Sequence, residues 1–138
     1  MTGALFINGQ DAWLKYGVRM YTGFIDALEA LLPLKPNIEN KSRLKNGKQI
    51  VPTAPKLDER GLTLGFTIQG NNPQDFRSKK AAFTALLYAG SIVIEVPSQG
   101  NTAYHLTYKV GGSYGQNREQ TFCHFTAKFE EPDPSNRT

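Results

Sequence analysis

The sequence is poor in the residues that hold small proteins together covalently or through metals. It has 138 residues but one cysteine, Cys123, and two histidines, His105 and His124. A single cysteine cannot form an internal disulfide, so we expect the packing of a hydrophobic core to carry the fold. One cysteine and two histidines also supply fewer ligands than a structural zinc site requires. The sequence therefore predicts no metal and no cofactor.

Long apolar runs and targeting segments are absent as well. No stretch approaches the roughly 18 consecutive apolar residues of a membrane-spanning helix. Residues 1–9 lack the basic region followed by an apolar stretch that marks a secretory signal peptide. We therefore expect no membrane partner, and a protein that is not exported through a signal peptide.

Turn-forming residues, in contrast, are abundant. The chain holds 13 glycines and 8 prolines, and many turns in a chain of one-domain length indicate β-structure. Alternating apolar and polar residues predict strands over residues 4–7, 18–22, 62–68, 91–96, 102–110 and 120–130. The glycine-rich residues 111–117 predict a wide loop between the last two strands.

Helical spacing is clearest between Asn72, which can cap a first turn, and Gly90, which suits a C-terminal end. The spacing also predicts a helical turn at residues 11–16, capped by Asp11, and a helix over residues 24–32. Together these elements predict an α+β fold that is mainly β. The expected architecture is an antiparallel β-sandwich or split barrel with one flanking α-helix and an extended β-hairpin arm.

We divide the chain into a single domain, residues 1–131, and a polar tail at 132–138 whose composition predicts disorder. Within the domain, residues 37–51 form the predicted protruding hairpin arm, and residues 52–60 form a linker back to the body. An Asn-Gly pair at 46–47 favours a two-residue turn, because a type I′ turn needs positive φ at both central positions.

The arm carries charge but little apolar surface. Within residues 35–48, five basic residues face one acid, Glu39, although the whole chain has a net charge of only +4. A two-stranded excursion with few core residues is marginally stable alone in water, so it needs another surface to lie on. We therefore expect the protein to work by assembling with copies of itself or with neighbouring proteins.

The residues expected at that interface are two aromatics near turns and six arm residues: Trp13, Tyr16, Lys41, Arg43, Leu44, Lys45, Lys48 and Ile50. The aromatics would act as anchors, and the arm residues would supply charge and some apolar contact. For Trp13 and Tyr16 the alternative is that they close the end of the core.

A second function class, a small basic nucleic-acid-binding module using residues 35–48, also fits the charge. Clustered lysine and arginine neutralise phosphates and give salt-dependent binding. However, no aromatic residue lies between Phe24 and Phe66, so the arm lacks a stacking platform for bases. We expect a protein surface, rather than nucleic acid, to be the partner of the arm.

Candidate catalytic residues do not come together. Cys123 and His124 are neighbours on a predicted strand, where successive side chains point to opposite faces, so they cannot act as nucleophile and base. The glycine-rich loop at 111–116 matches neither of the common phosphate-binding motifs. The sequence therefore predicts that the protein is not an enzyme and has no catalytic residue.

Two stretches resemble a known family. The first is Phe6-Ile7-Asn8-Gly9-Gln10-Asp11, followed by Tyr16-Gly17-Val18. The second is Gly47-Lys48 and then residues 55–66, Pro-Lys-Leu-Asp-Glu-Arg-Gly-Leu-Thr-Leu-Gly-Phe. They resemble the N-terminal domain of phage distal tail proteins and related baseplate or tail-tube proteins. The resemblance covers most of residues 5–130.

The resemblance implies a β-sandwich-like domain with a flanking helix that assembles into a ring, usually hexameric, in which each hairpin reaches onto the neighbouring subunit. It implies a structural protein that joins the tail tube to the baseplate or tail tip, with itself and other tail or baseplate proteins as partners. The implied location is the virion tail, after assembly in the bacterial cytoplasm, in a phage or a prophage. The family brings no catalytic residues.

Overall fold

The computed structural model describes residues 2–32, 39–41, 48–50 and 59–138. These residues contain nine strands: β1 (Phe6–Ile7), β2 (Gln10–Asp11), β3 (Val18–Met20), β4 (Glu39–Lys41), β5 (Lys48–Ile50), β6 (Arg60–Gln69), β7 (Ser91–Glu95), β8 (Ala103–Gln116) and β9 (Phe122–Glu131). They also contain three α-helices: α1 (Ala12–Tyr16), α2 (Phe24–Leu28) and α3 (Pro73–Tyr88).

Seven of the strands form one antiparallel sheet in the order β2-β1-β7-β8-β9-β6-β3. Its longest regular ladder joins β6 to β9 in ten pairs, from Arg60 opposite Glu131 to Gln69 opposite Phe122. The sheet is open rather than closed into a barrel, because it ends at the short strands β2 and β3. The predicted α+β, mainly β class is confirmed.

The core lies on one face of this sheet, here called the inner face. Alternate residues of β6 are buried there, as their period of two predicts: Leu62, Leu64, Phe66 and Ile68. The ring of Phe66 lies at the centre and contacts four other rings at centroid distances of 5.2–6.1 Å: Phe24, Phe83, Phe125 and Phe129. Helix α3 covers this face through its buried Phe76 and Phe83.

The capping predictions are confirmed. The Asp11 carboxylate accepts a hydrogen bond from the backbone N–H of Trp13 at 3.0 Å, and the Asn72 side chain accepts one from that of Asp75 at 2.8 Å. These bonds satisfy N–H groups that have no partner within the helix. Helix α2 differs from its prediction, because it ends at Leu28, four residues earlier than the spacing indicates.

The prediction of a wide loop at residues 111–117 is wrong, because β8 continues to Gln116. The continuation pairs with β9 through two irregular steps in the register. The glycines that suggested a loop instead let a bulged strand lie close to β9, since a side chain on Gly112 would collide with the hydroxyl of Thr126. That hydroxyl accepts a hydrogen bond from the backbone N–H of Ser113 at 2.9 Å.

The strands of the predicted hairpin at 37–51 are present as β4 and β5, which form an antiparallel pair separate from the main sheet. The register sets Lys41 opposite Lys48. The predicted two-residue turn at 46–47 lies outside the residues that the structure describes, so it stays a prediction.

A buried ion pair lies where the chain returns from the hairpin. Arg60 and Glu131 are 6% and 0% exposed, and Arg60 Nε donates to Glu131 Oε1 at 2.7 Å. The same guanidinium donates to three backbone carbonyls at the end of α2, at 2.7–3.3 Å: Ala27, Leu28 and Ala30. Helix-terminal carbonyls lack partners within the helix, so Arg60 caps α2 from a distant part of the chain.

The C-terminal tail supplies a second cation to the same carboxylate. Arg137 donates to both oxygens of Glu131 at 2.9 Å, and its guanidinium lies 4.8 Å from the centroid of the Tyr104 ring. The backbone N–H of Ala103 donates to the Arg137 carbonyl at 3.0 Å. Residues 132–138, for which composition predicts disorder, therefore fold back onto the start of β8.

Tyr104 connects this cluster to α2 a second time, because its hydroxyl donates to Glu29 Oε1 at 2.6 Å. Burial of the phenol, reinforced by this hydrogen bond and by the charge of Glu29, raises the pKa of Tyr104 to about 12. We call the five side chains together the root network: Glu29, Arg60, Tyr104, Glu131 and Arg137. It joins α2, β6, β8, β9 and the tail at one place.

Replacing Glu131 by glutamine should lower the free energy of unfolding by roughly 3–5 kcal/mol, because Arg60 would stay buried without a counter-charge. Urea denaturation followed by circular dichroism measures this loss. The matched control is Glu130→Gln, which removes a partly exposed pair with Lys109 (Nζ to Oε2, 3.1 Å) and should change stability little. Equal losses in the two variants would contradict the assignment of a structural role to the root network.

The raised pKa of Tyr104 predicts a loss of stability at alkaline pH. Its contribution is complete below about pH 10, the ordinary pKa of tyrosine, and is lost as the pH rises through about 12. We expect ultraviolet titration to detect a late-ionising tyrosine that Tyr104→Phe removes. Tyr88→Phe, at a side chain that is 71% exposed, is the control and should leave that step in place. Superimposable curves for Tyr104→Phe and the parent would contradict the prediction.

Candidate assembly surfaces

The root network joins the described residues that precede and follow residues 33–58, a segment that we call the excursion. Before the excursion lies the backbone carbonyl of Ala30, and after it lies the side chain of Arg60. Arg60 Nη1 donates a hydrogen bond to that carbonyl at 3.3 Å. The residues on either side of this 26-residue segment thus lie close together. The points at which the chain leaves and re-enters the body are therefore fixed relative to each other.

The excursion also carries the whole net charge of the chain. Six of the 16 basic residues and two of the 12 acidic residues lie within positions 33–58. The rest of the chain, here called the body, therefore holds ten of each and is neutral overall. In the described strands, Lys41 stands directly opposite Lys48.

The two aromatic residues predicted at an interface, Trp13 and Tyr16, lie in different environments. Tyr16 is 6% exposed, and its ring packs edge-on against Phe83 at 5.6 Å, which favours the alternative that it closes the core. Trp13 is half-buried, and the guanidinium of Arg19 lies 5.2 Å from its ring centroid. Of the two, Trp13 is the one that retains surface for a partner.

The other predicted interface residues belong to the arm. Three of them have described backbone positions in the strand pair: Lys41, Lys48 and Ile50. The other three lie outside the described residues: Arg43, Leu44 and Lys45. Contacts of all six with a partner stay a prediction.

A groove with a volume of about 220 Å³ lies between α3 and the C-terminal half of β8. Four aromatic residues contribute to its lining: Tyr88, Tyr108, Tyr114 and Phe125. The rings of Tyr88 and Tyr108 are 5.9 Å apart. Among the described residues that line the groove, Lys80 is the one charged side chain. Its Nζ donates to the Tyr114 hydroxyl at 2.8 Å and lies 4.3 Å from the centroid of that ring.

In the described part of the chain, the backbone of β8 next to this groove has a partner strand on one side only. Strand β7 pairs with β8 only as far as Thr107, and the N–H of Tyr108 donates to the carbonyl of Gly90 at 2.7 Å. Beyond that point, β9 is the one described strand that pairs with Val110–Gln116. Sequence reasoning missed the groove because it assigned these residues to a loop. The one available signal is Tyr114, an aromatic of high strand propensity inside the glycine-rich run.

The cysteine and the two histidines, the residue types most often used in catalysis and metal binding, lie apart from one another. Cys123 is buried on the inner face, and burial raises the pKa of its thiol. His124 points to the opposite face, where its ring stacks on Tyr21 at 5.1 Å, and His105 Nε2 lies 2.9 Å from the Thr138 carbonyl oxygen. Within the described ranges, no three histidine, cysteine, aspartate or glutamate residues lie close enough to hold a metal ion.

None of the helices in the described part of the chain combines the length and the apolar character needed to cross a membrane.

Comparison with known proteins gives matches at the level of the fold. No protein-family model matches the sequence, and no curated protein matches it either. The crystal structure of the phage SPP1 Dit protein (gp 19.1), described as a paradigm of the hub adsorption apparatus in phages that infect Gram-positive bacteria, covers 95% of this chain with a TM-score of 0.60 and 18% identity. A chain of the phage P2 baseplate in its activated conformation with Ca covers 81% with a TM-score of 0.55 and 13% identity.

The present chain spans 50% of the SPP1 chain and 35% of the P2 baseplate chain. Identities of this size establish a shared fold and leave function to be argued from the surfaces themselves. The open antiparallel sheet, with α3 against its inner face, is therefore similar in fold to the phage SPP1 hub protein and to a phage P2 baseplate chain.

Proposed function

We propose that this chain is a structural component of a phage or prophage tail, at the distal tail or baseplate hub, which acts by assembling with copies of itself into a ring. The fold similarity to the SPP1 Dit protein and to the P2 baseplate chain supports a structural role in a tail. The sequence resemblance of residues 6–18 and 47–66 to distal tail proteins supports the same role. The proposed ring is hexameric, because rings of the family that the sequence resembles are usually hexameric.

The observation that carries the proposal is the excursion. Its described strand pair has no partner strand among the described residues, and an isolated two-stranded pair is marginally stable in water. The excursion also holds the net charge of the chain, and acidic residues among the ten outside 33–58 could pair locally with its lysines and arginine. A neighbouring copy would supply a surface that carries such residues. Contacts that run from each copy to the next in one direction close into a ring when the rotation between copies fits.

The root network would give such a ring a constant geometry. Ring closure requires the same angle between body and excursion in every copy. Arg60 is held at once by Glu131 and by three carbonyls of the α2 end, so its position is determined by several short bonds. A flexible attachment would instead permit chains of variable curvature.

The proposed role is not catalytic. The protein would assemble in the bacterial cytoplasm and remain in the virion tail, with other tail or baseplate proteins docking on either side of the ring. The neutral overall charge of the body suits this role, because neutral surfaces stack without long-range repulsion.

A second candidate function, binding of nucleic acid by the excursion, is favoured by one observation. The register that places Lys41 opposite Lys48 concentrates positive charge, and phosphate groups neutralise such charge as well as carboxylates do. The absence of aromatic residues between Phe24 and Phe66 argues against recognition of bases.

Deleting residues 37–51 should leave a folded domain that does not assemble, because the root network stays intact while the proposed contact is lost. Multi-angle light scattering should give an oligomeric mass for the full chain and a monomeric mass for the deletion. Circular dichroism should show that the β-sheet is retained. A deletion variant that assembles like the full chain would overturn the proposal.

Charge reversal gives a matched form of the same test. Lys41→Glu with Lys48→Glu should weaken assembly, because both positions lie in the strand pair of the excursion. Lys15→Glu with Lys128→Glu changes the net charge by the same amount at exposed positions of the body and should leave assembly unchanged. Equal effects would assign the loss to net charge rather than to the excursion.

The second candidate predicts a steep dependence of DNA or RNA binding on salt. If the excursion binds phosphates, replacing Lys41 and Lys48 by alanine should reduce the slope of log K against log salt concentration by about 2. Electrophoretic mobility at several salt concentrations measures that slope. Under the assembly proposal, the full chain should give no shift even at low salt. A salt-dependent shift that the double replacement weakens would favour the nucleic-acid function.

A further inference from the structure

We propose that the groove between α3 and the C-terminal half of β8 binds an extended, carboxylate-bearing segment of a different protein by addition of a strand to β8. The inference concerns a surface outside the excursion, lined by residues of α3, β8 and β9. It depends on the open edge of Val110–Gln116, the aromatic lining of the groove and the charge of Lys80.

The open edge determines the shape of the occupant. Among the described strands, β8 has a partner on both sides as far as Thr107 and a partner on one side only beyond Tyr108. An edge strand offers a row of backbone donors and acceptors, which an extended peptide can pair while its alternate side chains enter a neighbouring pocket. A helix or a compact loop could not use those backbone groups in series.

The aromatic lining determines one side chain of the occupant. Tyr88 is 71% exposed, and its ring lies 5.9 Å from that of Tyr108. Two partly exposed rings at one end of a groove favour binding of an aromatic or large apolar side chain. Offset or edge contacts between aromatic rings stabilise a complex by more than the burial of apolar area alone. The occupant should therefore place such a side chain at the Tyr88 end.

Lys80 determines a second side chain. It is the one charged residue among the described residues of the lining, and its ammonium donates a hydrogen bond to the neutral hydroxyl of Tyr114. An ammonium group has three donors, so it can also bind a carboxylate of an occupant. A carboxylate here would gain a charge-assisted hydrogen bond beside an aromatic face.

The distance between the apolar and the acidic side chain of the occupant follows from the register of β8 with β9. Tyr108 pairs with Phe129, and Tyr114 pairs with Phe125, so the two ends of the groove are four residues apart on a regular neighbouring strand. Four residues of strand span about 13 Å and return to the same face. The occupant should therefore carry its apolar and acidic side chains four positions apart.

The charge of the groove argues against the excursion of a second copy as the occupant. The two described strands of the excursion contain Lys41 and Lys48 and the single acid Glu39. Entry of either strand would bring a lysine close to Lys80, and like charges repel. An acidic segment of another protein is the complementary partner.

The test is selection of random octapeptides, presented as an mRNA-displayed library, on the immobilised full chain. Enriched peptides should carry aspartate or glutamate four positions from an aromatic or large apolar residue. Their affinities are then measured by fluorescence anisotropy. Methylation of alternate backbone nitrogens should abolish binding, because it removes the donors that would pair with β8.

The matched variants are Lys80→Glu and Lys128→Glu. We expect Lys80→Glu to weaken the selected peptides at least about tenfold, and Lys128→Glu, an equal charge change at an exposed residue outside the groove, to change their affinity less than about twofold. Tyr88→Ala should also weaken them and tests the apolar end independently. Circular dichroism establishes that each variant is folded.

Three results of the peptide selection would overturn the proposal. These are a selection without enrichment, enriched peptides that bind Lys80→Glu as tightly as the parent, and enriched peptides that carry lysine in place of the acid. Light scattering distinguishes the groove proposal from the ring proposal, because Lys80→Glu should keep the oligomeric mass of the parent. A loss of that mass would make a second copy the occupant. A full chain that is monomeric would contradict the ring proposal and leave the peptide measurements unaffected.

Discussion

One buried carboxylate, that of Glu131, holds together parts of the chain that are far apart in sequence. It accepts hydrogen bonds from Arg60 at the start of β6 and from Arg137 in the tail. Arg60 in turn caps the carbonyls at the end of α2. A buried charge is tolerated only when it is paired and hydrogen-bonded, so all three segments must be in place together. The origin of the excursion is therefore formed only in the folded domain.

The distribution of charge separates two parts of the molecule. Partly exposed ion pairs such as Lys79 with Asp75 and Lys109 with Glu130 help to balance the body, whose basic and acidic residues are equal in number. The excursion keeps the excess of positive charge. Neutral bodies can approach one another closely, whereas excursions repel one another and are attracted by acidic surfaces. Lys80 is a local exception within the body, because it lies in a groove whose described lining contains no acid.

Local signals in the sequence were sufficient for the capped helices and the central strand. Asp11 and Asn72 cap helices because their side chains reach backbone groups two or three residues away, and the alternation along β6 directly gives its buried face. The root network could not be predicted, since Arg60 and Glu131 are 71 residues apart and their pairing depends on the register of β6 and β9. The C-terminal half of β8 was predicted to be a loop because glycine-rich runs occur both in turns and in bulged strands, and composition alone does not distinguish the two. Of the predicted interface, the core packing of Tyr16 depends on tertiary contact with Phe83, which no local pattern reveals.

The place where the excursion rejoins the body has a mechanical meaning. Tension carried by its returning end enters the domain at Arg60, the first residue of the ten-pair ladder between β6 and β9. A load along β6 is resisted by the hydrogen bonds of that ladder acting in parallel, rather than by breaking them one after another. Tension on the outgoing end enters at the short helix α2, whose last carbonyls are bound to the same guanidinium. Arg60 thus transfers force from the weaker of the two attachments to the stronger one, and a pull on either end is shared by the longest regular ladder of the sheet.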